Sequence, residues 1–269
     1  MTTTADRLKR FLDAAPAVAL VAVREAKGST PREEGAWMLV SPLAIFGTIG
    51  GGQLEFLAID KARELIDRNI ADGALDVPLG PEIGQCCGGR VGLELRVVDE
   101  QKRAALLLQA ERDDLARPQV VLFGGGHVGH ALASALVLLP VRVVVVETRA
   151  DALADFPEGV ETRLTALPEE AVRVAPPGSA FVVLTHDHAL DFLIVAEALG
   201  RRDAAYVGMI GSKTKRATFK SWYLKNGGDG AAFARLVSPI GGNGVRDKRP
   251  AVIAAMAAAE VMVALARTH

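Results

Sequence analysis

The chain has 269 residues, half of them hydrophobic, which is enough apolar surface for one or two buried cores. Its 31 Lys and Arg nearly cancel its 32 Asp and Glu, leaving a formal net charge of −1, so no global field favours nucleic acid or anionic lipid. Only two cysteines occur and they are adjacent, Cys86 and Cys87, which excludes a disulfide framework and suits a reducing cytoplasm.

The elements follow in chain order. An amphipathic helix is expected over Ala5 to Ala14, then an apolar strand over Val18 to Val23 and a polar loop, Gly28-Ser29-Thr30-Pro31-Arg32. Two short strands come next, Trp37 to Val40 and Ile45 to Ile49, joined by Ser41-Pro42. Gly50-Gly51-Gly52 opens a helix whose Leu54, Leu57, Ala58, Ala62 and Leu65 recur at helical spacing. After Gly80-Pro81 a loop carries both cysteines, and the strand Val91 to Val98 follows it. A charged helical segment, Asp99 to Arg117, leads to Pro118, which divides residues 1–117 from 118–269. Beyond it, Val-rich strands (Gln119–Phe123, Val141–Val146, Phe181–Leu184, Ala205–Gly208) alternate with helices. That pattern predicts an α/β fold with a parallel sheet covered on both faces. The longest apolar run, Ala251 to Ala266, is broken by Glu260 and is shorter than the roughly 20 residues a bilayer requires. It reads as a buried or interface helix. With no signal-peptide pattern near the start, the expected location is cytoplasmic.

Val120-Val121-Leu122-Phe123 runs straight into Gly124-Gly125-Gly126-His127-Val128-Gly129, which satisfies G-x-G-x-x-G. Gly124 permits the tight turn, Gly126 lets backbone approach a phosphate, and Gly129 brings helix and strand close. Glu147 ends the next strand 23 residues on, near where an acid grips ribose hydroxyls in dinucleotide-binding folds. His127 either touches a bound phosphate or faces solvent. Gly84-Gln85-Cys86-Cys87-Gly88-Gly89-Arg90 holds two thiols in a turn. Adjacent cysteines supply at most two ligands, so a structural zinc site is disfavoured and a soft metal or sulfur-bearing ligand fits better. Thr185-His186-Asp187-His188, with Asp191, follows the third strand of this half and faces the same crevice as the glycine loop. It can bind metal or phosphate, or Asp187 can cap the next helix. Gly211, Ser212 and Lys213, with Arg216 one turn on, resemble an anion grip at a helix start or else a solvated basic face. Ser238-Pro239-Ile240-Gly241-Gly242-Asn243-Gly244 precedes Pro250, which opens the last helix. A large phosphate-bearing ligand is the simplest joint explanation of these loops. G-x-S-x-G, H-E-x-x-H and Walker patterns do not occur.

Together, Gly28–Arg32, Gly47-Thr48-Ile49-Gly50-Gly51-Gly52 with Leu54-Glu55, Cys86-Cys87-Gly88-Gly89, Gly124–Gly129, Thr185–His188 with Asp191 and Gly208-Met209-Ile210-Gly211-Ser212 resemble the xanthine dehydrogenase accessory protein family, also called XdhC/CoxI, over nearly the full length. Gln53 stands where the carbon-monoxide-dehydrogenase branch often has cysteine, which favours the xanthine dehydrogenase branch. Gly241–Arg246 differs from the Gly-Leu-Asp-Ile-Gly type of other members. The resemblance implies a smaller N-terminal α+β domain and a Rossmann-like C-terminal domain. It implies a non-enzymatic chaperone, a homodimer, that holds molybdenum cofactor as cargo. Its partners would be molybdenum cofactor biosynthesis proteins, a cysteine desulfurase that sulfurates the cofactor, and apo xanthine dehydrogenase. On that reading Cys86 and Cys87 approach the metal. The cofactor would lie by Gly124, Gly126, His127, Gly129, Glu147, His186, Asp187, His188, Gly211, Ser212 and Lys213. The competing readings are an NAD(P)-dependent oxidoreductase using Glu147 on the ribose, and a nucleotide-binding regulatory protein.

Overall fold

The computed structural model describes residues 4–80, 88–242 and 244–267. The chain divides into two compact units, Thr3–Asp114 and Leu115–His269.

In the first unit five strands form an antiparallel sheet: β1 (Ala19–Lys27), β2 (Trp37–Val40), β3 (Ile45–Gly47), β4 (Asp72–Pro78) and β5 (Arg90–Val97), in the order β3-β2-β1-β5-β4. The period-2 alternation of β1 sends Ala19, Val21 and Val23 to one face. There they meet Leu54, Ala58, Ala62 and Leu65 of helix α2 (Gly52–Asp67), whose spacing of three to four residues makes one apolar stripe. Leu20 and Leu39 turn to the other face, covered by Leu8 and Leu12 of α1 (Thr4–Ala14) and Ala110 of α3 (Glu100–Ala116). The strand expected over Ile45 to Ile49 stops at Gly47, whose φ of 81° turns the chain; a side chain there would meet the Trp37 carbonyl at 3.1 Å. β4, which the sequence pattern did not suggest, pairs with β5 over seven residues, Asp72 to Pro78.

The second unit is a six-stranded parallel sheet: β6 (Gln119–Phe123), β7 (Arg142–Glu147), β8 (Val160–Leu164), β9 (Ala180–Val183), β10 (Tyr206–Met209) and β11 (Leu236–Val237), ordered β11-β10-β9-β6-β7-β8. This is the doubly wound dinucleotide-binding order, with its reversal between β6 and β9. Every β6 residue is buried because both faces are covered. Val121 and Phe123 pack toward α6 (His188–Gly200) and α7 (Lys213–Lys225), while Val120 and Leu122 pack toward α4 (His127–Leu136) and α9 (Pro250–Ala266). α5 (Glu169–Val174) and α8 (Gly230–Ala234) complete the first of these faces. Only a short 3₁₀ turn, Ala150–Leu153, joins β7 to β8. α9 buries Ala254, Ala257, Ala258, Val261 and Leu265, and its Glu260 accepts from the Tyr206 hydroxyl (2.7 Å) and the Gly241 amide (2.9 Å). Among the described residues no helix is long and apolar enough to cross a membrane.

Candidate functional site

At the carboxyl end of β6 the chain turns through Gly124 at φ 123° and enters α4. The four loop glycines have different surroundings. A Cβ on Gly124 would lie 2.5 Å from the Leu184 carbonyl oxygen, and one on Gly129 would lie 2.1 Å from the Gly124 carbonyl oxygen. The motif spacing does not flag Gly125, yet a Cβ there would lie 2.0 Å from the Ala152 carbonyl oxygen. Gly126 alone of the four has open space, nothing standing within 4 Å of the added carbon. The loop is therefore packed from beneath and behind and open where backbone amides begin α4. His127, the first residue of α4, is exposed there. One turn on, His130 stacks on Phe156 at 3.8 Å between ring centroids.

Glu147 is buried at 4% exposure at the end of β7. Its Oε2 accepts from the Gly125 amide (2.9 Å), and its Oε1 accepts from the Thr148 amide (2.8 Å) and the Arg149 amide (3.2 Å). The Arg149 guanidinium donates to both oxygens. Burial pushes this carboxyl up, but the Gly125 amide, the Arg149 side chain and the two following amides outweigh it and hold the pKa at about 2. The charge thus tethers the glycine loop to the neighbouring strand.

β9 delivers the second loop. Thr185, His186, Asp187 and His188 follow its end, with both histidines exposed. Asp187 caps α6, accepting from the Ala189 (2.7 Å) and Leu190 (3.3 Å) amides, so its carboxylate serves the backbone. Fully buried Asp191 accepts from the Thr185 amide (3.0 Å) and hydroxyl (2.6 Å) through one oxygen and from the Lys215 ammonium through the other. Lys215 is itself 9% exposed. A Cβ on Gly211 would fall 2.6 Å from Lys215 Cδ, so this glycine opens the path by which the lysine reaches Asp191. Ser212 caps α7 by accepting from the Lys215 amide (3.2 Å). Lys213 is exposed at the helix start. Arg216, paired with Lys213 in the sequence reading, instead lies over the Phe233 ring at 4.8 Å, drawn away by cation–π attraction. The lysine that the pattern overlooked, Lys215, is the one built into the interior.

The glycine loop and the Thr185 loop therefore flank the crevice above the β6–β9 reversal, where ligands of doubly wound sheets bind. In the N-terminal unit, three glycine-bearing segments converge. Ser29 bridges Gly88, a Cβ on Gly89 would lie 2.3 Å from the Ser29 carbonyl oxygen, and one on Gly50 would lie 2.6 Å from Pro31 Cβ. Glu55 ties the Gly50 turn, accepting from the Thr48 hydroxyl (2.6 Å) and the Ile49 and Gly51 amides (both 3.1 Å). Cys86 and Cys87 lie outside the described residues. Among the described residues no cluster of three or more His, Cys, Asp or Glu is placed to hold a metal ion.

Comparison with known proteins adds the following. The XdhC Rossmann domain family matches residues 120–261, and the XdhC and CoxI family matches residues 11–72. Protein YqeB of Escherichia coli (strain K12) is 25% identical over 256 residues, which cover 91% of this chain and 43% of YqeB. The chain thus spans less than half the length of that relative. A crystal structure described as a xanthine dehydrogenase from Bacillus halodurans superposes with a TM-score of 0.82 at 18% identity, over 99% of this chain and 96% of the other. At that identity the likeness concerns the fold.

Proposed function

Because this chain belongs to the XdhC and CoxI family, we propose that it is an accessory protein that carries molybdenum cofactor to a xanthine dehydrogenase. The observation that carries this reading is the crevice over the β6–β9 reversal, open at Gly126 and rigidly backed elsewhere. Molybdenum cofactor is a pterin with a phosphate ester and a dithiolene that chelates the metal. The open amides at the start of α4 suit the phosphate, since a helix N-terminus favours an anion. His127, His186, His188 and Lys213 are exposed at the ends of their strands, where they can donate to ligand oxygens. Glu147, Asp187, Gly211 and Ser212 position these loops. Cys86 and Cys87 are soft sulfur donors of the type that suits a sulfur-ligated metal, and a cysteine desulfurase is the partner that would sulfurate the bound cofactor.

A second reading, a nicotinamide-dependent oxidoreductase, draws on the same strand order and on the position of Glu147. One experiment separates the two. The purified protein is incubated with isolated molybdenum cofactor, free ligand is removed by gel filtration, and bound molybdenum and pterin are quantified, with NADH binding measured in parallel. Near-stoichiometric retention that falls in the Cys86→Ala/Cys87→Ala double variant supports the carrier. Absence of retention together with tight NADH binding overturns it.

A further inference from the structure

Helix α9 has one charged residue among its 17, Glu260. A carboxylate in so apolar a helix needs partners, because desolvating a charge is costly unless hydrogen bonds replace the lost water. The Tyr206 hydroxyl and the Gly241 amide both donate to its Oε2. Glycines position both donors. A Cβ on Gly208, the first residue of the motif that runs to Ser212, would lie 2.5 Å from Tyr206 Cε1, so the bare position lets the ring lie along β10. Gly241, at φ 76°, turns the loop after β11 so that its amide reaches the helix. Burial, and then the hydrogen bond to Glu260, push the Tyr206 hydroxyl well above its ordinary pKa, so it keeps its proton and remains a donor. The other oxygen, Glu260 Oε1, accepts no hydrogen bond among the described residues and is not sealed in the interior.

Glu260 and Tyr206 line a groove of about 470 Å³ between α9 and the loop after β11, at the β11 edge of the parallel sheet. That volume is in the range of small-molecule sites. Val237 of β11 and Met256, Ala259 and Val263 of α9 make the groove apolar, and Val263 is 53% exposed. Gly242 and Gly244 form the facing wall, where an added Cβ would meet nothing within 4 Å. Arg267 also lines the groove, seven residues beyond Glu260, and makes no ion pair with it. We propose that this groove binds a small primary amine on an aromatic or branched apolar body, with the ammonium on Glu260 Oε1 beside the Tyr206 ring. A carboxylate only accepts, so the ligand has to bring donors, and an ammonium brings three with the opposite charge. A tyrosine ring next to the acid adds to its attraction for a cation. The Met256 thioether suits an aromatic body. No residue assigned to the cofactor lines the groove, so the inference stands apart from the carrier reading.

The test is equilibrium titration of the full chain with 2-phenylethylamine, followed by NMR. Each control lacks one feature: 2-phenylethanol has the body without the charge, 3-phenylpropionate reverses the charge, and methylamine has the charge without the body. The amine should bind about tenfold or more tighter than each control, the margin expected for one bond to a charged group. In Glu260→Gln, which removes the charge at nearly constant shape, the margin over 2-phenylethanol should vanish. In Val263→Arg, at an exposed position, the denaturation midpoint should hold while a cation in the groove lowers amine affinity about tenfold or more. Should Glu260→Gln fail to fold, Val263→Arg decides alone. Equal binding of 2-phenylethylamine and 2-phenylethanol overturns the proposal, as does absence of amine binding, or an amine preference that survives in every folded variant. No probe carries phosphate, pterin or molybdenum, so this result and cofactor retention can succeed or fail separately.

Discussion

Adding one methyl group at a time to the glycine loop separates its packing from its open side. At Gly126, with φ −77°, ψ −175° and open space around the new carbon, alanine fits the backbone. It should stabilise the fold by about 0.4–1 kcal/mol through the unfolded chain. In the carrier reading the same methyl group obstructs the cofactor. Gly126→Ala should therefore show a slightly raised urea midpoint and lose cofactor retention. At Gly125 the methyl group meets the Ala152 carbonyl oxygen, and Gly125→Ala should lower stability by roughly 1–3 kcal/mol, as overpacking does. Glu147 adds a pH signature. Its pKa is lowered from 4.5 to about 2 on folding, so its contribution is complete above pH 4.5 and is lost as pH falls toward 2. That shift corresponds to about 3 kcal/mol. Denaturation of wild type and Glu147→Gln across that window should show the wild type losing its advantage as pH drops, and parallel curves would count against the tether.

Among elements, the first turns of α6 and α7, the helices that follow β9 and β10, are joined by the Asp191–Lys215 pair, which is buried at both ends. Removing one partner leaves an uncompensated charge in the interior, and Asp191→Ala should cost about 3–5 kcal/mol. An Asp191→Leu/Lys215→Met double variant should recover much of that loss, measured by the denaturation midpoint, because neither charge then remains. Some elements were legible in the chain because their pattern is local. β6, β7, β9 and β10 are near-continuous apolar runs, found within a residue or two of their expected bounds. β4 escaped because Asp72, Gly73, Asp76 and Pro78 are residues that strands avoid, and only its pairing with β5 makes it one. β8 escaped because Glu161, Thr162 and Arg163 belong to an exposed edge.

At the scale of the whole molecule, the α/β class with its parallel sheet could be read from the Val-rich strands that alternate with helices beyond Pro118. The candidate site was legible only as far as its contacts are local in sequence. Gly124, Gly126 and Gly129 announce themselves by spacing. Gly125 and Lys215 do not, since their constraints come from Ala152, 27 residues away, and from Asp191, 24 residues away.

The strand order also bears on how the chain is made. β6 sits at the centre of its sheet, hydrogen-bonded on one side to the strand that follows it and on the other to β9, which ends 60 residues after β6. During synthesis at about 5–20 residues per second, the glycine loop leaves the ribosome seconds before its second wall exists. In that interval the β9-facing edge of β6, lined by Val120 to Phe123, is an unpaired apolar template of the kind that invites misassembly. In the carrier reading, the crevice gains its second wall only once β9 and the Thr185 loop that follows it have been made.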